Sequence, residues 1–145
     1  MQVLTFSLEG STFGLPTFVV GEVIRMPALT GLPGAPMGLL GLMNLRGRML
    51  PVVDPRFWLH IESENPLKHV VVVLGDGESM GLAVEQVESI IETAVHEDVP
   101  DMVDERLKPL ISGYFQTERG FVFVWHSHGP YFLWDLMHQA GEMLS

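Results

Sequence analysis

Gly41-Leu-Met-Asn-Leu-Arg-Gly-Arg-Met-Leu-Pro-Val-Val-Asp54 consists of two apolar runs with a turn between them. Leu45-Arg46-Gly47 separates the runs and Gly47 can take the positive φ that a tight hairpin turn demands, so residues 39–54 are expected to form a β-hairpin with Arg46 at its tip or shoulder. The arginine is thereby presented to solvent on a rigid support. Asp54-Pro55 follows at once, an N-cap residue before a proline that has no N–H to lose in a first helical turn. One short helical turn is expected over Arg56-Phe-Trp-Leu-His60, with Phe57 and Trp58 anchoring it to the sheet.

The flanking sequence has the same character. Leu4, Phe6 and Leu8 alternate with Thr5 and Ser7, Glu9-Gly10-Ser11 interrupts, and Phe13 and Leu15 resume, which predicts a hairpin at the N-terminus. Irregular apolar spacing over Pro16–Arg25 predicts a short helix or turn and then a strand, and Gly31, Pro33, Gly34 and Pro36 mark an ordered loop. His69-Val-Val-Val-Val-Leu74 is a buried strand whose hairpin partner carries Met80, Leu82 and Val84, and Val87–Ile91 is a further strand. Residues 92–105 are acidic and pattern-poor, which predicts a surface loop. Strands are expected over 110–115 and 121–125, and Asp135 is expected to cap a last helix whose Leu136, Ala140, Met143 and Leu144 share a face. Many short strands with glycine punctuation and only brief helices make this an all-β chain, a barrel or a sandwich.

Composition narrows the function classes. In 145 residues there is no cysteine, which removes disulfides, thiolate nucleophiles and cysteine metal sites. The formal net charge is -10, and it is unevenly spread. Arg25, Arg46, Arg48, Arg56 and Lys68 balance Glu9, Glu22, Asp54, Glu62 and Glu64 in residues 1–72, so the whole excess lies beyond them. Without a basic stripe, nucleic acid and anionic membrane are poor partners. No apolar run approaches the roughly 18 residues of a membrane span, and the first residues carry Glu9 where a signal peptide needs a basic group. A cytoplasmic protein without membrane insertion is expected.

FSLEGSTFGLP, VVGEVIRMP, LPGAPM, GLLGLMNLRGRMLPVVDPR, VVVVLGDGESMGLAVEQVESI and the terminal WDLMHQ follow one another in the order of the CheW-like family, which the chain resembles over almost its whole length. The most specific element is Gly41-x-x-Asn44-Leu45-Arg46-Gly47 with Leu50-Pro51-Val52-Val53-Asp54 after it; Gly81-Leu82-x-Val84-Glu85-x-Val87 is the second. The resemblance implies one domain over 1–145, built as two interleaved five-stranded SH3-like barrels. The first is placed at roughly 12–66, the second at roughly 67–134 with the first strand 1–8, and the C-terminal helix at 135–144. It implies a non-catalytic adaptor that couples the cytoplasmic tip of methyl-accepting chemoreceptors to the regulatory domain of a CheA-type histidine kinase, at receptor arrays, with no cofactor. Residue by residue, Arg46 matches the family's functional arginine, Glu22 its acidic associate and Val20 a neighbouring apolar contact, while Asn44, Leu45 and Gly47 belong to the same partner-binding motif. A pilus or alternative output system, or a free-standing relative of the kinase's own regulatory domain, fits the same pattern. Three departures stand out: Pro55 replaces the family's usual leucine, Pro100 alone remains of a proline-rich stretch, and FVFVWHSHGPYFLWD (121–135) reads as two strands where the family needs one.

Other chemistry finds less support in the residues. His126 and His128 project from one face if their segment is extended, and with His138 and Asp135 they raise a small barrel that binds a metal or ligand as the rival reading. The turn-rich context His126-Ser-His-Gly-Pro130 favours solvated histidines without a metal. No serine lies in a Gly-x-Ser-x-Gly elbow and no phosphate-binding glycine loop is present, so no enzyme is expected.

Overall fold

The computed structural model describes residues 1–144, with side chains through Gln139. Ten strands appear in chain order: β1 Gln2–Leu8, β2 Ser11–Pro16, β3 Val20–Arg25, β4 Leu39–Leu45, β5 Arg48–Val53, β6 His69–Leu74, β7 Ser79–Val84, β8 Gln86–Glu92, β9 Ile111–Thr117 and β10 Gly120–Trp125. Two helices, α1 Pro55–Trp58 and α2 Gly129–Leu144, and two 3-10 turns at Thr17–Val19 and Glu105–Leu110 complete the chain. Asp54 caps α1 as its sequence demands, its side chain accepting from the Arg56 N–H at 3.0 Å.

The strands form two five-stranded sheets, ordered β8-β1-β2-β10-β9 and β3-β6-β7-β5-β4. Shifting every strand label by five turns one order into the other. The correspondence holds in detail, because each sheet contains a single two-residue parallel contact, β10 with β2 and β5 with β7. Each sheet also curls in the same way. The chain leaving β3 exchanges backbone hydrogen bonds between Thr30 and Leu42 of β4, and the chain leaving β8 does so between His96 and Tyr114 of β9. These bridges draw the two edges of each sheet together into a small barrel. The backbones meet closely there: a Cβ on Gly41 would stand 2.7 Å from the Thr30 carbonyl, and one on Gly113 would collide with the His96 carbonyl. Both positions require glycine for the same reason. The two halves of the chain are therefore repeats, each of which lends its first hairpin, β1–β2 or β6–β7, to the sheet of the other.

The exchange corrects the expected barrel limits. β2 lies in the sheet of β1, not with residues 20–53, and β6–β7 insert beside β3 and β5. The sequence of β6 contains the reason: Val70 and Val72 enter the core of the β3–β7 barrel with Met43, Leu50 and Val52, while Val71 and Val73 join the larger core shared by both sheets. A strand buried on both faces reads as an unbroken valine run, and that run does not say which neighbours cover it.

The last third differs from the sequence reading. Residues 121–135 form one strand and the start of a helix, not a hairpin, so α2 begins at Gly129, with Asp135 well inside it rather than at its cap. The Gly129 N–H bonds the His126 carbonyl, Pro130 occupies the first turn where its missing N–H costs nothing, and the Phe132 N–H reaches the His128 carbonyl. Leu133 and Met137, four residues apart, are fully buried with Leu110 and Trp125. Helical spacing of these two outweighed the strand propensity of the aromatic run Tyr131-Phe132. Leu136 packs on the shared core; the side chains of Ala140, Met143 and Leu144 lie outside the described residues.

Candidate functional site

The β4–β5 hairpin ends in a two-residue turn, Arg46-Gly47, with both residues left-handed at φ 51° and 84°. Glycine accepts this freely and arginine does so at a cost, so strain is concentrated on the residue that the motif exposes. The turn is held from below, because Asn44 Oδ1 accepts the Gly47 N–H at 2.8 Å and Leu45 packs on the small core of its barrel. Asn44, Leu45 and Gly47 thus build the support, and Arg46 is what it presents.

Arg46 forms a two-pronged ion pair with Glu22 of β3: Nη1 donates to Oε1 at 2.7 Å and Nη2 to Oε2 at 3.0 Å. β3 and β4 are the two edges of one sheet, so the pair spans the gap across which the barrel closes. A β-bulge at Gly21, where the register shifts between Val20 and Glu22, aims the carboxylate toward the tip. The hydrogen bonds from Arg46 hold the Glu22 carboxyl below its ordinary range, and those to Glu22 raise the guanidinium above its own. Arg46 remains 73% exposed against 31% for Glu22, which leaves much of the guanidinium open to a partner. Leu74 lies against Gly21 and is exposed, as is Val23 on the opposite face of β3 from Glu22. Val20 is half-buried against the shared core.

A second Arg–Glu pair is buried. Arg56 donates to Glu85 at 3.1 Å and to both oxygens of Asp54, and Glu85 also accepts from Asn65 Nδ2 at 2.9 Å and from the Glu9 N–H at 3.1 Å. Burial pushes the Glu85 carboxyl up, but the bonds from Asn65, Glu9 and Arg56 outweigh it, so the group sits below its ordinary range. Sequence reading named Glu85 only within its motif. Its place in the short gap between two expected strands was the available signal.

The repeat identifies one more turn. Gly113-Tyr-Phe-Gln-Thr-Glu-Arg-Gly120 occupies the β9–β10 hairpin as Gly41-Leu-Met-Asn-Leu-Arg-Gly-Arg48 occupies β4–β5, so Glu118 stands where Arg46 does and Arg119 where Gly47 does. Among the described residues Arg119 has no carboxylate within ion-pair distance, and it lines a groove of about 540 Å³ with Glu88 and Phe121. The histidine cluster does not assemble in the same way. The His126 and His128 rings lie 5.6 Å apart, His128 donates its backbone N–H to His126 Nδ1, and His138 is engaged with the Trp134 carbonyl at 2.9 Å. Among the described residues, no three His, Asp or Glu side chains converge on a point that would hold a metal ion. The double change His126→Ala with His128→Ala is expected to leave the melting temperature within about 2 °C of the parent, with or without zinc, since exposed changes rarely exceed that. A stoichiometric metal lost with that change would instead revive the metal reading.

Paired small barrels, exchanged hairpins and one strained turn that displays an arginine describe a double SH3-like scaffold module. The CheW-like domain family matches residues 2–127, and the chain belongs to it. The protein PilI of Pseudomonas aeruginosa is 34% identical over 120 residues, 79% of this chain and 66% of the relative, so the chain spans just under two thirds of that protein. The chemotaxis protein CheW of Rhizobium meliloti is 28% identical over 122 residues, 81% of this chain and 78% of that protein. The crystal structure of scaffolding protein TtCheW from Thermoanaerobacter tengcongensis matches with a TM-score of 0.77 at 25% identity, over 86% of this chain and 83% of that one. No described helix is long and apolar enough to cross a membrane.

Proposed function

We propose that the chain is a cytoplasmic, non-catalytic adaptor that couples chemoreceptor tips to a CheA-type histidine kinase within receptor arrays. The observation that supports it most is the exposed Arg46–Glu22 pair on a rigid turn, in a chain of the CheW-like family. An arginine fork backed by a carboxylate on a rigid turn has the composition of a binding hot spot. Arg46 and Glu22 make the contact, Val20 borders it, and Asn44, Leu45 and Gly47 hold it in place. The likeness to PilI favours, as the second reading, a coupling protein of a pilus-type chemosensory system. The purified chain is expected to hydrolyse and transfer no phosphate, yet to raise receptor-dependent autophosphorylation of its cognate kinase in reconstituted membranes. Robust turnover of a phosphate ester by the chain alone would overturn this, and adding receptors and kinases from flagellar and pilus-type systems in turn separates the two outputs.

A further inference from the structure

The chain passes between the two sheets at two places, the 3-10 turn Thr17–Val19 and the single residue Glu85 between β7 and β8. A residue that links two sheets with no spacer is a natural hinge. Glu85 is also the one charged residue in the buried class among the described residues, with 8% exposure. Its partners come from both sides. Oε1 accepts the N–H of Glu9, which is left-handed at φ 46° in the turn of the β1–β2 hairpin, and Asn65 Nδ2 of the opposite barrel's connection. Oε2 accepts from Arg56 of α1, whose guanidinium is fixed by Asp54 at the end of β5 and by the Asn65 carbonyl at 2.8 Å. Asn65 Nδ2 also reaches Glu9 Oε2 at 3.1 Å, closing the network.

From this geometry we infer that Glu85, clamped by Arg56, Asn65 and the Glu9 N–H, is a positioning residue that locks the angle between the two barrels. The interface between the sheets is otherwise mainly apolar, with Leu4, Phe6, Leu8 and Leu15 facing Val71, Val73, Met80 and Leu82 in one cluster. Apolar burial is non-directional and constrains sliding less than directed hydrogen bonds do. The other polar tie found between them is Tyr131 of α2, whose hydroxyl reaches the carbonyls of Val73 and Glu78 beside Gly75. The lock therefore selects one relative setting of two surfaces that a packed core alone would let rock. Its consequence for binding rests on the adaptor reading; the lock itself does not.

The test is the relative orientation of the sheets in the full chain, read from amide residual dipolar couplings of the isotope-labelled protein. In the parent, the couplings of β1, β2 and β8–β10 and those of β3–β7 are expected to fit one alignment tensor. In Glu85→Gln each set should still fit its own tensor, the two tensors should diverge, and amide exchange at Glu9 and Gln86 should accelerate about tenfold or more. Asn65→Ala, which removes a neutral member, provides a second variant should Glu85→Gln not fold, and Arg46→Ala should keep one tensor. A common tensor with unchanged exchange in Glu85→Gln or Asn65→Ala would show that packing alone sets the angle and would overturn the lock. Diverging tensors with unaltered kinase and receptor binding would uphold the lock and count against its use in the adaptor.

Discussion

Arg56→Ala is expected to lower the unfolding free energy by about 3–5 kcal/mol, the range for removing one partner of a buried ion pair. The side chains of Arg56 and Glu85 are only 12% and 9% exposed, so the carboxylates left behind are poorly placed for full rehydration. The change leaves two carboxylates, Asp54 and Glu85, without their shared cation, and the Asn65 carbonyl without its donor. Against a total stability on the order of 5–15 kcal/mol, this is a large fraction. Urea unfolding at neutral pH measures it, and a loss below about 1 kcal/mol would show that solvent reaches the site. The same network carries a pH signature. A carboxylate whose folded pKa is depressed contributes stability that is present above its unfolded pKa, about 4.3 for Glu, and is lost as pH falls through the folded pKa. Glu85 is such a group. The parent is therefore expected to lose stability as pH is taken from about 5 toward 3, and Glu85→Gln to follow a shallower slope over that window.

Residue pattern alone revealed the local elements and not their partners. Turn chemistry marked Arg46-Gly47, alternation marked β1, β2 and β7, and Asp54-Pro55 marked α1, because each is dictated by neighbours in sequence. The exchange of hairpins was not legible, since β2 and β7 present the same period of two to whichever sheet receives them. Each nevertheless carries a glycine, Gly14 or Gly81, where it meets the parallel strand, and that matched spacing was the available clue. The start of α2 was missed because Tyr131-Phe132-Leu133-Trp134 has the composition of a strand, and only the burial of Leu133 with Met137 decides the period. Within the candidate site, Glu22 and Arg46 were paired correctly across 24 residues of sequence through the family resemblance. The role of Glu85 was hidden, because a buried carboxylate at a crossing is defined by partners as distant as Glu9 and Arg56.

Arg46→Ala is expected to weaken binding to the kinase regulatory domain or the receptor tip about 30-fold, the scale of an interface hot spot, while the melting temperature moves by no more than about 3 °C. The separation follows from place. The side chain is mostly solvated, so its removal opens no cavity, and Glu22 remains exposed enough to be rehydrated when its partner is gone. Alanine inherits the left-handed backbone at φ 51°, whereas Arg46→Gly relieves it, so Arg46→Gly should equal or exceed the parent in stability and bind as poorly as Arg46→Ala. That comparison distinguishes loss of the guanidinium from damage to the turn. Arg46→Glu should bind worst, since it sets a second carboxylate beside Glu22. Calorimetric titration against both partners, with thermal melts in parallel, measures all three variants. Unfolding of Arg46→Ala would make the residue a structural brace for the barrel closure. Parent affinity for both partners would move the interface away from the β4–β5 tip and toward the β9–β10 tip of the other repeat, whose turn residues are Glu118 and Arg119.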